Sequence, residues 1–211
     1  MARQTLVLRL CGYAILLYVW FLLPFNLYEP TPTFHLPAIL WFTHLIILYI
    51  HEAGHFFFRI FGETMYILGG SIMQVLVPFV WFLVAWHEES ANAPVAVFFT
   101  GVSMVDVSIY MRDAETRILP LLGGHHVKHD WATFLGDHDM LDWGVPLGNL
   151  FFFLGLFAAL GAIVWGVNLS IKLYQQDRLE ESKSPGPESD LTNGEQKSSS
   201  LQDKTPSQKK L

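Results

Sequence analysis

"LYIHEAGHFFFRIFG", residues 48–62, sets His51, Glu52 and His55 into a run of otherwise almost unbroken apolar side chains. Ionisable groups in hydrocarbon cost about 2.5–3.5 kcal/mol each unless they are paired or hydrated, so three together call for a reason. On a helix, residues four apart lie one turn up the same face. The imidazoles of His51 and His55 can therefore converge on one ion at a Zn–N distance of about 2.0–2.1 Å. Glu52 sits beside His51 and is turned too far aside to share that direction. It is placed to take a proton from a water activated by the ion, the part that the glutamate plays in an H-E-x-x-H pattern. Ala53 and Gly54 are small and admit another backbone at close range. The blander reading, a satisfied polar contact between helices, explains less well why three such groups occur together.

The surroundings of this stretch decide its setting. The chain has 211 residues, 52% of them hydrophobic, and its charged residues gather towards the end instead of coating a surface. Segments near 5–24, 36–61, 65–86, 92–111 and 145–173 reach or approach the roughly 20 residues needed to cross a bilayer core. The expectation is an all-α, polytopic integral membrane bundle of about five spans, residues 1–173, followed by a disordered polar tail, 174–211. The tail is rich in Ser, Gln, Lys, Glu and Pro and buries too little apolar area to offset its ordering entropy. The first span is too long for a signal-peptide core, and "LLPFNLYEP" (22–30) has no small-x-small cleavage pattern, so it reads as a retained anchor. No basic stripe marks a nucleic-acid partner; the bilayer itself is the expected one.

Arg3, Arg9, Arg59, Arg112, Arg117 and Lys128 place the N-terminus and loops 59–64 and 112–144 on the cytoplasmic side. HEAGH lies near that side, about 22–28 Å along a helix starting near Leu36. Five spans would then export a tail carrying Lys172, Arg178 and Lys183. An even number removes the conflict, for instance if "YILGGSIMQVLVP" (66–78) enters and leaves on one side.

Two histidines do not complete a catalytic zinc site, which takes three protein ligands. With Cys11 as the lone cysteine, the rest must come from His, Asp or Glu. The richest source is "GGHHVKHDWATFLGDHDMLDWG" (123–144), with His125, His126, His129 and His138 among Asp130, Asp137, Asp139 and Asp142. Within it "HDW" is favoured, through His129 or Asp130, because "ATFL" reads as a short amphipathic turn able to dock the pair at the membrane face. His44, two turns before His51 on the same face, is a candidate to support the site, and Asp106 one to face the ion or orient a ligand histidine. Asp113 reads as part of an interfacial salt network with Arg112 and Arg117.

HEAGH in an apolar span, a glycine-rich "LGGSIMQ" (68–74) ending in Gln74, and an aspartate motif further on resemble the site-2 protease family of intramembrane zinc metallopeptidases, or a divergent set of membrane peptidases related to it. The resemblance covers roughly residues 36–144. It implies zinc on His51 and His55, water activation by Glu52, and a downstream aspartate as third ligand. The substrate it implies is a membrane-associated polypeptide that unwinds before hydrolysis, with "LGGSIMQ" as a docking edge. The family's Leu-Asp-Gly appears here as "LDWG" (141–144), with Trp143 inserted, so Asp142 competes with "HDW" for that role. The rival classes are a non-catalytic metal-binding scaffold and a di-iron oxidoreductase, which "HHVKH" (125–129) loosely suggests.

Overall fold

The computed structural model describes residues 2–33, 35–121 and 128–183, and among them there is no strand. Six α-helices follow in order: α1 (Ala2–Asn26), α2 (Ala38–Phe58), α3 (Glu63–His87), α4 (Ala93–Arg112), α5 (Asp130–Gly136) and α6 (Gly144–Lys183). Single 3-10 turns, Arg59–Phe61 and Leu141–Trp143, precede α3 and α6. The expected all-helical class is the observed one. Proline and glycine punctuate it: Pro37 holds extended backbone just before α2, and Gly62 takes φ 101°, a conformation that costs a residue without Cβ little, to open α3.

Among the described residues, four segments are long and apolar enough to cross a membrane: Arg3–Asn26, Glu63–His87, Ala93–Arg112 and Leu141–Lys183. The fifth expected span, α2, has 21 residues but is not among them, because His44, His51, Glu52 and His55 dilute its apolar content. Large apolar side chains, including Leu8, Phe25, Phe42, Tyr49, Phe56 and Phe157, point outward. Water penalises such a surface and hydrocarbon does not.

The helices pack in the order α2, α3, α4, α6, α1. In α4 67% of the most apolar stretch is buried, against 17–33% in the other three spans, so α4 is the central post. It meets α6 backbone to backbone at Gly101 and Gly155, where a Cβ on either would stand 2.5 Å from the other's carbonyl oxygen. Around this seam Leu23, Leu40, Phe98, Val102, Val105 and Phe152 close the main core.

Three expectations are corrected here. Residues 66–78 do not turn back on one side; they lie within a continuous α3 that carries Pro78 inside it, its glycines serving close packing against α2. The helix of α6 runs past residue 173 to Lys183, since extending an existing helix needs no new nucleus and Gln, Arg, Leu and Glu are good formers. The described helix thus covers the first ten residues, 174–183, of the expected polar tail, while residues 184–211 lie outside the described residues. Finally, Asp113 makes no salt network with Arg112. Arg112 turns inward to the Leu27 carbonyl (3.0 Å) and Asn149 Oδ1 (3.2 Å), with the Tyr28 ring 4.5 Å away.

Asp113 instead serves the chain that follows α4. Fully buried, it accepts hydrogen bonds from Thr116 Oγ1 (2.7 Å), Ile118 N (2.9 Å) and Leu119 N (3.0 Å), folding residues 113–119 into a bend. Burial pushes its pKa up, but the His129 ring and these donors outweigh that and hold it below the ordinary 3.8. A carboxylate depressed by folding contributes stability above its unfolded pKa and loses it as pH falls through the folded value. The thermal stability of the detergent-solubilised protein should accordingly fall as pH drops below about 4. Asp113→Asn should flatten that part of the profile and cost about 1–3 kcal/mol at neutral pH; equal acid sensitivity of the two proteins would refute it.

Candidate metal centre

α2 presents His51 and His55 on its inner face, and α3 sets the distance to them. Gly54 of α2 lies against Gly69 of α3, where a Cβ on Gly69 would stand 2.8 Å from the Gly54 carbonyl oxygen. The helices touch there through backbone, which brings two acceptors within reach of the rings. His55 Nδ1 lies 2.7 Å from the Tyr66 carbonyl, and His51 Nδ1 lies 2.7 Å from Gln74 Oε1. A carbonyl oxygen only accepts, so His55 Nδ1 carries its hydrogen. Gln74 is oriented by its other end: Nε2 donates to the Ser103 carbonyl and to Asp106 Oδ2, each at 3.3 Å. Its oxygen thus faces His51, and His51 Nδ1 carries its hydrogen as well.

Both Nε2 lone pairs are then aimed into one space. His51 Nε2 and His55 Nε2 are 3.1 Å apart, and Asp130 Oδ2 lies 3.0 Å from the first and 3.3 Å from the second. Ligand atoms on a tetrahedral zinc at about 2.05 Å stand about 3.3 Å from one another, so this near-equilateral triangle is that of three ligands on one ion. Three electron-rich atoms so close repel unless a positive centre, a metal ion or in its absence a proton on one ring, lies among them. His51, His55 and Asp130 form the one group of three such donors among the described residues, and it could hold a metal ion.

Asp130 reaches the triangle because α5 is pinned. Trp131 is buried and its Nε1–H donates to Ser71 Oγ of α3 at 3.0 Å; Leu135 packs with Val107 and Met111. The Asp130 backbone N–H donates to the Tyr110 hydroxyl at 3.3 Å. The docking turn expected from "ATFL" is this helix. Burial pushes the Asp130 pKa up, yet in the metal-free cluster hydrogen bonds donated to it through protonated Nε2 of the His51 and His55 rings outweigh that and hold it below the ordinary carboxylate value, so it is an anion at neutral pH.

His129, the other residue expected from "HDW", faces elsewhere. Its Nδ1 caps α5 by accepting from Ala132 N at 3.2 Å, its ring stacks on Tyr110 with centroids 4.1 Å apart, and its Nε2 lies 3.3 Å from Asp113. The ring is committed to holding α5, so it is not brought to the triangle; adjacent residues at a helix start point different ways. Asp142 is exposed in the turn before α6, and His138 is exposed against the Phe134 carbonyl. Neither joins the group, and His125 and His126 lie outside the described residues. Asp106 supports Gln74 and accepts from His44 Nδ1 at 2.6 Å.

Glu52 lines the same cavity, of about 450 Å³, as His51, His55 and Asp130. Leu48, Ile67, Leu119 and Leu121 give it apolar walls, and Glu63 and Lys128 also line it. Sequence reasoning missed the Tyr66 carbonyl, the Tyr110 hydroxyl and Ser71. It named Gln74 through resemblance alone. Gly70 was a hint in "LGGS": a Cβ there would lie 2.6 Å from His51 Cδ2, so its bare Cα is the seat of the ring.

Comparisons with protein-family models, curated proteins and solved structures gave no match. The geometry therefore carries the functional argument.

Gly70→Ala should push the His51 ring out of place and weaken zinc binding at least about tenfold. Gly161→Ala, whose Cβ would meet nothing within 4 Å, is the control. Zinc content after dialysis against a graded chelator series reads both; equal retention would show that the ring does not need that seat.

Proposed function

We propose that the chain is a multi-pass membrane zinc endopeptidase of the site-2 protease kind, with α2 as a fifth span, acting on membrane-associated polypeptides. The observation that carries this reading is the triangle of His51 Nε2, His55 Nε2 and Asp130 Oδ2, with both Nδ1 atoms already committed to fixed acceptors. Zinc at such a site supplies Lewis acidity towards a peptide carbonyl and lowers the pKa of water. Glu52, one position on from a ligand and on the wall of the same cavity, takes the proton of the attacking water and passes it to the departing amine. The apolar walls accept side chains of a segment arriving from the bilayer. A helical substrate satisfies its own backbone, so a strand unwound there needs acceptors and donors from the site in place of the bonds it loses.

Two imidazoles with one carboxylate also suit non-haem ferrous iron. Glu52 favours hydrolysis, since an oxygenase has no evident task for a carboxylate beside the ligands. A His-box di-iron centre would need far more ligands than the three gathered among the described residues. A scaffold that binds metal without turnover shares the triangle but makes no use of Glu52.

Purified full-length protein should hold about one zinc per chain, lost in His51→Ala, His55→Ala and Asp130→Asn and kept in His129→Gln if that variant folds. Glu52→Gln should keep the zinc and lower cleavage of a quenched transmembrane peptide by about 100- to 10,000-fold. Unchanged cleavage in Glu52→Gln, or a wild type that holds iron in place of zinc, would overturn the hydrolytic reading.

A further inference from the structure

A closed circuit of polar contacts runs through three helices behind the triangle. It leaves α2 at His44, whose Nδ1 meets Asp106 Oδ1 of α4 at 2.6 Å. Asp106 Oδ2 accepts from Gln74 Nε2 of α3 at 3.3 Å. Gln74 Oε1 then accepts from His51 Nδ1 at 2.7 Å, back on α2 two turns after His44. Gln74 is 3% exposed and Asp106 8%, so both are largely buried, at the inner wall of the cavity.

We infer that Asp106 and Gln74 are positioning residues that fix the tautomer and direction of His51. This rests on the metal reading proposed above and goes beyond it by assigning how the first imidazole is made a ligand. A glutamine amide can present either end to a ring, and the two ends have opposite effects. With Oε1 towards His51, the hydrogen sits on Nδ1 and the Nε2 lone pair points at Asp130 and His55. With the NH₂ group towards His51, the ring must accept through Nδ1, its hydrogen moves to Nε2, and that hydrogen blocks the ion. What selects the first sense is the pair of acceptors at the far end, the Ser103 carbonyl and the Asp106 carboxylate. Neither can donate. Asp106 in turn is kept in place by His44, which delivers its own N–H to the other carboxylate oxygen. The carboxylate on α4 thus sets the outcome at a nitrogen on α2 without touching it.

Two variants separate this role from simple packing. Gln74→Met keeps the volume and removes the acceptor. In Asp106→Asn a single acceptor oxygen receives two arriving donors, Gln74 Nε2–H and His44 Nδ1–H, so the sense of the Gln74 amide rests on the Ser103 carbonyl alone. Each should weaken zinc and cobalt binding by the tenfold to hundredfold typical of groups that orient a metal-bound histidine, about 10–100-fold, measured by chelator competition on the full chain in detergent. Wild-type affinity in either variant overturns the assignment for that residue. A measurement on the unaltered protein guards against a variant that does not fold: ¹⁵N spectra of histidine-labelled, metal-free protein, at a pH where the rings are neutral. His51, assigned by its loss in His51→Asn, should carry hydrogen on Nδ1 and none on Nε2. The opposite tautomer overturns the inference even if the wild type binds zinc. A wild type that shows the expected tautomer yet binds no metal leaves this circuit standing and removes the enzyme reading instead.

Discussion

An apolar helix with histidines at positions 44, 51 and 55 needs polar partners along that face, and the arrangement of the bundle follows from supplying them. α3 covers the lower part with glycines, because only a bare backbone comes close enough for a carbonyl and an amide to meet imidazole rings. α4 covers the upper part with Asp106, a buried carboxylate that would be costly alone and is tolerated because His44 and Gln74 both donate to it. The opposite face of α2 is free to be apolar, and Phe42, Tyr49 and Phe56 are turned outward.

The same constraint explains why α4 is the post of the structure. It packs on α3 on one side and on α6 on the other, so the residue that supports the histidines and the bend that follows are tied to one rigid element. Asp113, at its end, gathers the amides of residues 118 and 119, and Leu119 and Leu121 then form a wall of the cavity. His129 links that bend to the start of α5. Position of the third donor, shape of the cavity and stability of the loop are thus parts of one packing arrangement.

How much of this could be read in the sequence differs by element. The four-residue spacing of His51 and His55 was legible because helical periodicity fixes which side chains share a face. The all-helical class was legible from long apolar runs. Asp130 was narrowed to "HDW" but not separated from His129, because which of two neighbours turns inward depends on where a helix begins, and histidine is an unusual residue to begin one. The Tyr66 carbonyl had no side-chain signature at all; it is placed by the Gly62 turn and the start of α3. The continuation of α6 to Lys183 was misjudged because counting apolar residues detects where oil ends, whereas a helix ends where its backbone hydrogen bonds do.

The donors of the triangle are far apart along the chain: His51 and Asp130 are separated by 79 positions. At the usual pace of translation, about 5–20 residues per second, roughly 4–16 s pass between synthesis of the first and of the last. Throughout that interval the cluster itself consists of a pair of imidazoles without its carboxylate. The carboxylate comes into place after α3 and α4 have been laid down and α5 has settled onto them. Completion of the three-donor cluster is therefore a late event in biogenesis, and any ion held by all three donors would enter after the helices that carry them have assembled.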